Sequence, residues 1–264
     1  MPRDFHKNFL SRIKKAITAF GMLEHGDRVA VGVSGGKDSI TLLHVLTMVG
    51  RSAPVKFELE AVYIDLGWSV DTSSLSEFCH SRGVALHVIK MDITSTLFGD
   101  KPAENPCALC SHLRRGVLHS KALELDCNKV ALGHHLDDVI ETYMMNLLYN
   151  GQIRTFSPCT YLDRTGLTMI RPLVYIPLED IYAWVAAEKL PVLANPCPAN
   201  GHTKRDEARR IVAGLSENHP DFRSRFLNAL LTFDQSNLWP ASRKRVQGPA
   251  LAVRLKEEGS EGKA

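Results

Sequence analysis

The chain has 264 residues, 44% of them hydrophobic, enough for one large core or a core with a small appendage. Charged residues make up 23%, which excludes wholesale disorder, and a net charge of +3 is too small to mark a nucleic-acid binder by itself. Residues 1–15 lack the continuous apolar run of a secretory signal and no stretch approaches the ~18 apolar residues of a membrane helix, so the expected setting is cytoplasmic, with no membrane association.

Phe5, Phe9, Ile13, Ile17 and Phe20 recur every three or four residues and predict an amphipathic helix, with Arg12, Lys14 and Lys15 on its other face. Residues 28–33 form a β-branched run that reads as a buried strand; Ser34-Gly35-Gly36 breaks it, and 38–49 reads as a helix. The alternation continues with strands at 57–64, 84–91 and 129–132 and helices at 73–82, 107–125 and 136–149. Strands alternating with helices predict right-handed crossovers and an α/β fold, a doubly wound parallel sheet with flanking helices. Ligands in such sheets sit at the carboxyl ends of the strands, where the Ser34 loop, Asp65 and the Gly133-His134 turn all fall.

Past Gly151 the pattern changes to a short strand at 168–173, a helix at 177–188 opened by a proline, and helices at 204–215 and 221–233. Residues 242–264 have no apolar periodicity and read as a mobile tail. The expected division is an N-terminal helix over 1–26, a main domain over 27–200, a small helical part over 201–241 and the tail.

Ser34-Gly35-Gly36-Lys37-Asp38-Ser39, following Val33 at a strand end, suits phosphate binding. Glycines admit an anion to the backbone, first-turn N–H groups point at it, and the helix dipole favours negative charge. Lys37 adds a cation, Ser34 and Ser39 add hydroxyl donors, and Asp38 is a candidate Mg²⁺ ligand. The pattern is not the Gly-x4-Gly-Lys-[Ser/Thr] loop, so γ-phosphate chemistry is not implied.

Six cysteines in a chain of this kind point to metal or redox chemistry rather than a disulfide framework. Cys107 and Cys110 form a Cys-x2-Cys pair at a predicted helix start followed by Arg114-Arg115, a setting expected to lower thiol pKa values. Cys197 stands between two prolines far along the chain. Cys79, Cys127 and Cys159 read as small buried apolar residues. Three thiolates suit an iron–sulfur cluster with one iron left uncapped; with His112 or His202 as a fourth ligand they suit structural Zn²⁺ instead.

The hexapeptide matches the PP-loop signature of the N-type ATP pyrophosphatases. Together with Cys-x2-Cys before a basic run, Gly133-His134-His135-Leu136-Asp137-Asp138, and the late Cys197, it resembles the tRNA 2-thiolation enzymes, nearest the TtcA-like 2-thiocytidine branch and related to the 2-thiouridine branch. The resemblance covers about residues 10–235. It implies ATP binding by residues 33–39, Asp65, Gly133 and His134, and a [4Fe-4S] cluster on Cys107, Cys110 and Cys197. It further implies adenylation of a pyrimidine C2 oxygen in tRNA, and its replacement by sulfur from a sulfide or persulfide donor. Asp38, Asp138 and Arg114 are the catalytic candidates, though Asp137 and Asp138 equally suit the first turn of the following helix. Lys14, Lys15, Lys204, Arg205 and Arg209 are candidate tRNA phosphate contacts or an ordinary solvated face. The 2-thiouridine branch's extra zinc-binding cysteine pairs are absent.

Two other readings stand beside this one: PP-loop adenylation of a small molecule, and a zinc-stabilised nucleotide- or RNA-binding protein without turnover. A homodimer is expected from the resemblance and from apolar residues on the first helix.

Overall fold

The structure is a computed structural model and describes residues 3–52, 54–68, 70–93, 97, 106–194, 197, 204–234 and 236. The expected tail and His202 lie outside the described residues.

Six strands form one sheet in the order β3-β2-β1-β4-β6-β5: β1 (Arg28–Gly32), β2 (Glu58–Asp65), β3 (Ala85–Lys90), β4 (Lys129–Ala131), β5 (Cys159–Leu162) and β6 (Leu167–Ile170). All neighbours are parallel except β5 and β6, which pair antiparallel from Cys159↔Ile170 to Leu162↔Leu167. The expected parallel sheet thus carries an antiparallel hairpin at one edge. Cys159, read from sequence as a small buried apolar residue, opens strand β5 and is only half-buried. The turn between the hairpin strands closes on Gly166 at φ +70°, a conformation costly for any residue with a Cβ. The strand expected to reach residue 173 stops at Ile170, because Pro172 has no N–H to give the ladder.

The helices are α1 (Arg3–Ala19), α2 (Lys37–Ser52), α3 (Ser73–Arg82), α4 (Pro106–Glu124), α5 (Leu136–Asn150), α6 (Leu178–Glu188), α7 (Lys204–Asn218) and α8 (Phe222–Leu231). In β1, Val29 and Val31 enter one core and Ala30 the other, the period of two expected of a strand buried on both faces. The larger core joins that face of the sheet to α1, α2, α3 and α6, while α4 covers the opposite face. Phe9 and Ile13 of α1 are wholly buried, and Phe9 stacks on Trp184 of α6 with ring centroids 4.3 Å apart. The apolar face of α1, expected to suit a dimer contact, is therefore spent inside the chain. Arg12 of its polar face pairs with Asp180 of α6.

At the amino ends of β1 and β4, Asp27 and Lys129 form a buried ion pair at 2.8 Å. Lys129 also donates to the Met22 carbonyl and Asp27 accepts from Asn128, so neither charge relies on the pair alone. α7 and α8 pack on α5, where Val212 and Phe226 meet Ile140.

Candidate active site

β1, β2 and β3 run outward on one side of the sheet and β4 lies on the other side of β1, so the strand order reverses between β1 and β4. A crevice at the carboxyl ends of such strands is where ligands of open α/β sheets bind. Here the crevice is a cavity of about 490 Å³. Val33, Ser34, Asp38 and Ser39 reach it from the β1–α2 turn, and Gly133, His134 and Asp138 from the β4–α5 turn. Cys107, Cys110 and Arg114 reach it from α4, and Cys197 joins them.

Four expected residues do not line it. Gly35, at φ +81°, has the open side of its Cα filled by Leu193: a Cβ there would stand 2.7 Å from Leu193 Cδ1, and the Leu193 N–H donates to the Gly35 carbonyl. Gly36 shapes the turn, its N–H directed at Ser34 Oγ. Lys37 bonds Asp38 Oδ2 at 3.1 Å and lies over the Tyr182 ring. Asp65 accepts the Gly67 N–H within its own turn, and Leu66 and Trp68 line the cavity after it.

The loop braces itself. Ser39 Oγ donates to the Gly36 carbonyl and accepts the Ser34 N–H. Gly133 is required by proximity: a Cβ there would meet the Asp38 carbonyl carbon at 2.9 Å and the Ser39 nitrogen at 3.1 Å. The two turns therefore touch backbone to backbone.

Asp38 and Asp138 flank a buried histidine. His135 Nε2 is 3.7 Å from Asp38 Oδ1 and 3.4 Å from Asp138 Oδ2. Asp38 Oδ1 is buried with no hydrogen-bond partner. Asp138 accepts the His135 N–H at 3.0 Å and pairs with Arg205 at 2.8 Å. Burial pushes the Asp138 carboxyl upward, but His135, His134 and Arg205 outweigh it and hold it below its ordinary range. Asp137 instead ties helices together, accepting the Leu178 N–H and Arg223 Nε–H and so joining α6 and α8 to α5.

Arg205 and Arg209 pair with carboxylates of α5 while their side chains stay 38% and 51% exposed. Arg205 reaches Asp138, and Arg209 Nε reaches the buried Glu141 at 2.9 Å. Lys204 lies over the Tyr149 ring, Lys14 bonds Ser52, and Lys15 is exposed.

The Cys110 thiol departs from expectation. Burial pushes the Cys110 thiol up; Arg114 pulls it down through charge and a hydrogen bond, and Cys197 and Cys107 push it up again. Its value is raised overall, so burial beats the arginine. Among the described residues no three His, Cys, Asp or Glu side chains close on one metal ion. His112 lines a different cavity on the far side of α4, away from the cysteines.

Sequence reasoning missed Arg171. It follows β6, is 8% exposed, and donates Nε–H to His134 Nδ1 at 3.2 Å. Its signal was legible: a charge interrupting the buried run 167–176 at the carboxyl end of a strand beside β4. Trp68 and Ser111 were missed too, and carry no comparable signal.

The PP-loop domain family matches residues 5–214. A tRNA-cytidine(32) 2-sulfurtransferase of Syntrophotalea carbinolica is 42% identical over 236 residues, covering 87% of this chain and 90% of that protein. The protein of that name from Geobacter sulfurreducens is 37% identical over 229 residues, covering 85% and 89%. Among solved structures, the U34-tRNA thiolase NcsA from Methanococcus maripaludis, with its [4Fe-4S] cluster, superposes with a TM-score of 0.67 at 26% identity, covering 88% of this chain and 80% of that one. A loop, a facing turn and three cysteines at one strand-order reversal agree with these likenesses: the chain belongs to the PP-loop family and, within it, to the family of the tRNA-cytidine(32) 2-sulfurtransferases.

Proposed function

We propose that the chain is an ATP-dependent tRNA sulfurtransferase that replaces the C2 oxygen of a cytidine in tRNA by sulfur. The observation that carries this reading is that Cys107, Cys110 and Cys197 line the same cavity as the Ser34 loop, Asp38 and Asp138. Amide-forming adenylation needs no such thiols. Cytidine is favoured over uridine because the relatives at 37% and 42% identity are named for it.

The C2 carbonyl oxygen attacks the α-phosphorus of ATP, the bond to the β-phosphate breaks, and pyrophosphate leaves. Sulfide then adds at C2 and AMP departs with the original oxygen, so atoms and electrons balance without an oxidant or reductant. The orphan N–H groups of the first turn of α2 and the hydroxyl of Ser34 hold phosphate oxygens, while Ser39 Oγ, donating to the Gly36 carbonyl, keeps the turn in shape. Asp38 Oδ1, buried and unpartnered, is the ligand for Mg²⁺. Asp138, kept ionised, holds His135 and Arg205 in place and handles the proton at the reacting base.

The donor set fits an iron–sulfur cluster. Cys107 and Cys197 lie near enough to Cys110 that their charge would raise its thiol, a set of three cysteines that would suit a [4Fe-4S] cluster. When bound, a [4Fe-4S] cluster on these cysteines supplies one iron without a protein ligand, able to bind sulfide. Arg114, hydrogen-bonded to Cys110, offsets thiolate charge there.

The test is mass spectrometry of nucleosides from bulk tRNA of cells with and without this chain. Selective loss of 2-thiocytidine is expected. An unchanged profile in cells that contain that nucleoside would refute the assignment.

A further inference from the structure

Arg171 does not line the cavity itself; it is a buried cation held against His134, which does, and the proposed chemistry leaves it unused. Its guanidinium lies over Phe156 at 4.8 Å, donates to the Ser157 carbonyl, and directs Nε–H at His134 Nδ1. An arginine nitrogen only donates, so Nδ1 must accept. A neutral imidazole that accepts at Nδ1 carries its proton at Nε2. The ring is thereby fixed as a one-way donor. Phe156 covers it at 5.0 Å between centroids, and Nδ1 is spent, leaving the Nε2 edge for the cavity that His134 lines.

We propose that Arg171 is a positioning residue that locks His134 in the Nε2–H tautomer, so that His134 donates a hydrogen bond to a phosphoryl oxygen of the nucleotide. This rests on the adenylating reading of the cavity. Phosphate is the chosen acceptor because Gly133, the preceding residue, abuts the backbone of Asp38 and Ser39 at the first turn of α2. Burial holds the His134 pKa down to about 4; Asp138 works against that, and Arg171, Arg205 and His135 work with it. At neutral pH the ring is uncharged, so it contributes a fixed hydrogen bond and no proton transfer.

Two measurements test this on the full-length protein. Long-range ¹H–¹⁵N spectra of the histidine rings, with His134 assigned by its disappearance in His134→Gln, read the tautomer directly. A pure Nε2–H pattern is expected in the wild-type chain, and averaging between tautomers in Arg171→Lys, which keeps the charge but not the planar fork. Calorimetric binding of α,β-methylene-ATP supplies the second readout. His134→Ala should bind roughly tenfold more weakly, and His134→Gln, whose amide N–H overlays Nε2, should recover most of that loss, while His134→Asn, which overlays Nδ1, should not.

An Nδ1–H or charged ring in the wild-type chain would overturn the proposal. So would equal binding by His134→Gln and His134→Asn. If tRNA thiolation is absent while the tautomer and binding pattern hold, the assigned reaction fails and this inference stands.

Discussion

Gly133→Ala is the sharpest perturbation of the site. The new Cβ would stand 2.9 Å from the Asp38 carbonyl carbon and 3.0 Å from its oxygen, where ordinary contact begins at 3.4 Å, so the two turns must separate by about 0.5 Å. The obstacle is backbone at the first turn of α2, not the end of a flexible side chain, so no rotamer change relieves it. Overpacking of this kind costs about 1–3 kcal/mol. Misplacement by ~1 Å can cost about a hundredfold in rate, so half that shift should slow adenylation roughly tenfold. Gly116→Ala is the control: it lies within α4, where a Cβ meets nothing within 4 Å, and alanine should stabilise the helix by up to ~1 kcal/mol. Urea unfolding and tRNA-dependent pyrophosphate release measure the two effects. A Gly133→Ala protein equal to wild type in both would refute the reasoning that the turns are in contact.

Other outcomes follow from the same geometry. Lys129→Met leaves Asp27 buried without its cation and should cost ~3–5 kcal/mol by urea unfolding; because the Asp27 pKa is lowered in the fold, the pair contributes above the ordinary value of 3.8 and its contribution fades as pH falls through the folded value. Trp184→Ala removes a wholly buried ring stacked on Phe9 and should cost ~3–5 kcal/mol while leaving turnover below the melting temperature intact. His44 and His134 both have pKa values depressed to about 4 from 6.5, so the unfolded chain binds more protons and stability should fall as pH drops from 6.5 to 4, by at most about 1.4 kcal/mol per pH unit for each ring; a flat melting temperature across that range would contradict neutral burial of the two. Cys197→Ser should abolish thiolation and leave α,β-methylene-ATP binding unchanged; parallel loss of both would mean that Cys197 supports the fold instead.

Much of the fold was legible in the chain. Residues 28–33 are β-branched and end in glycines, and 129–132 end the same way, so both turns of the cavity could be put at strand ends from the sequence alone. The hairpin was harder: Cys159–Leu162 is short and sits at the sheet edge, with a half-buried pattern that leaves weak alternation, although Asp163 and Gly166 carried a turn signal. Sequence could name Lys37, Asp65, Arg205 and Arg209 as polar groups near the right elements. Where each side chain turns depends on partners distant along the chain: Tyr182 for Lys37, Asp138 for Arg205 and Glu141 for Arg209. The acidity of the Cys110 thiol was misjudged for a similar reason, since helix starts and arginines are visible in a sequence and burial is not.

The Leu193–Gly35 contact acts as an anchor with a short leash. Leu193 is bonded to the phosphate loop at 2.9 Å, and Cys197 follows it by four residues. Four extended peptide steps span at most about 14 Å, so the third cysteine can never stray further than that from the point where the leash is tied. Chain length alone, independent of side-chain packing, thus keeps the sulfur end of the cavity within reach of its phosphate end. An insertion between 193 and 197 would loosen the two, while one of the same size in the exposed turn between β5 and β6 would leave the leash unchanged.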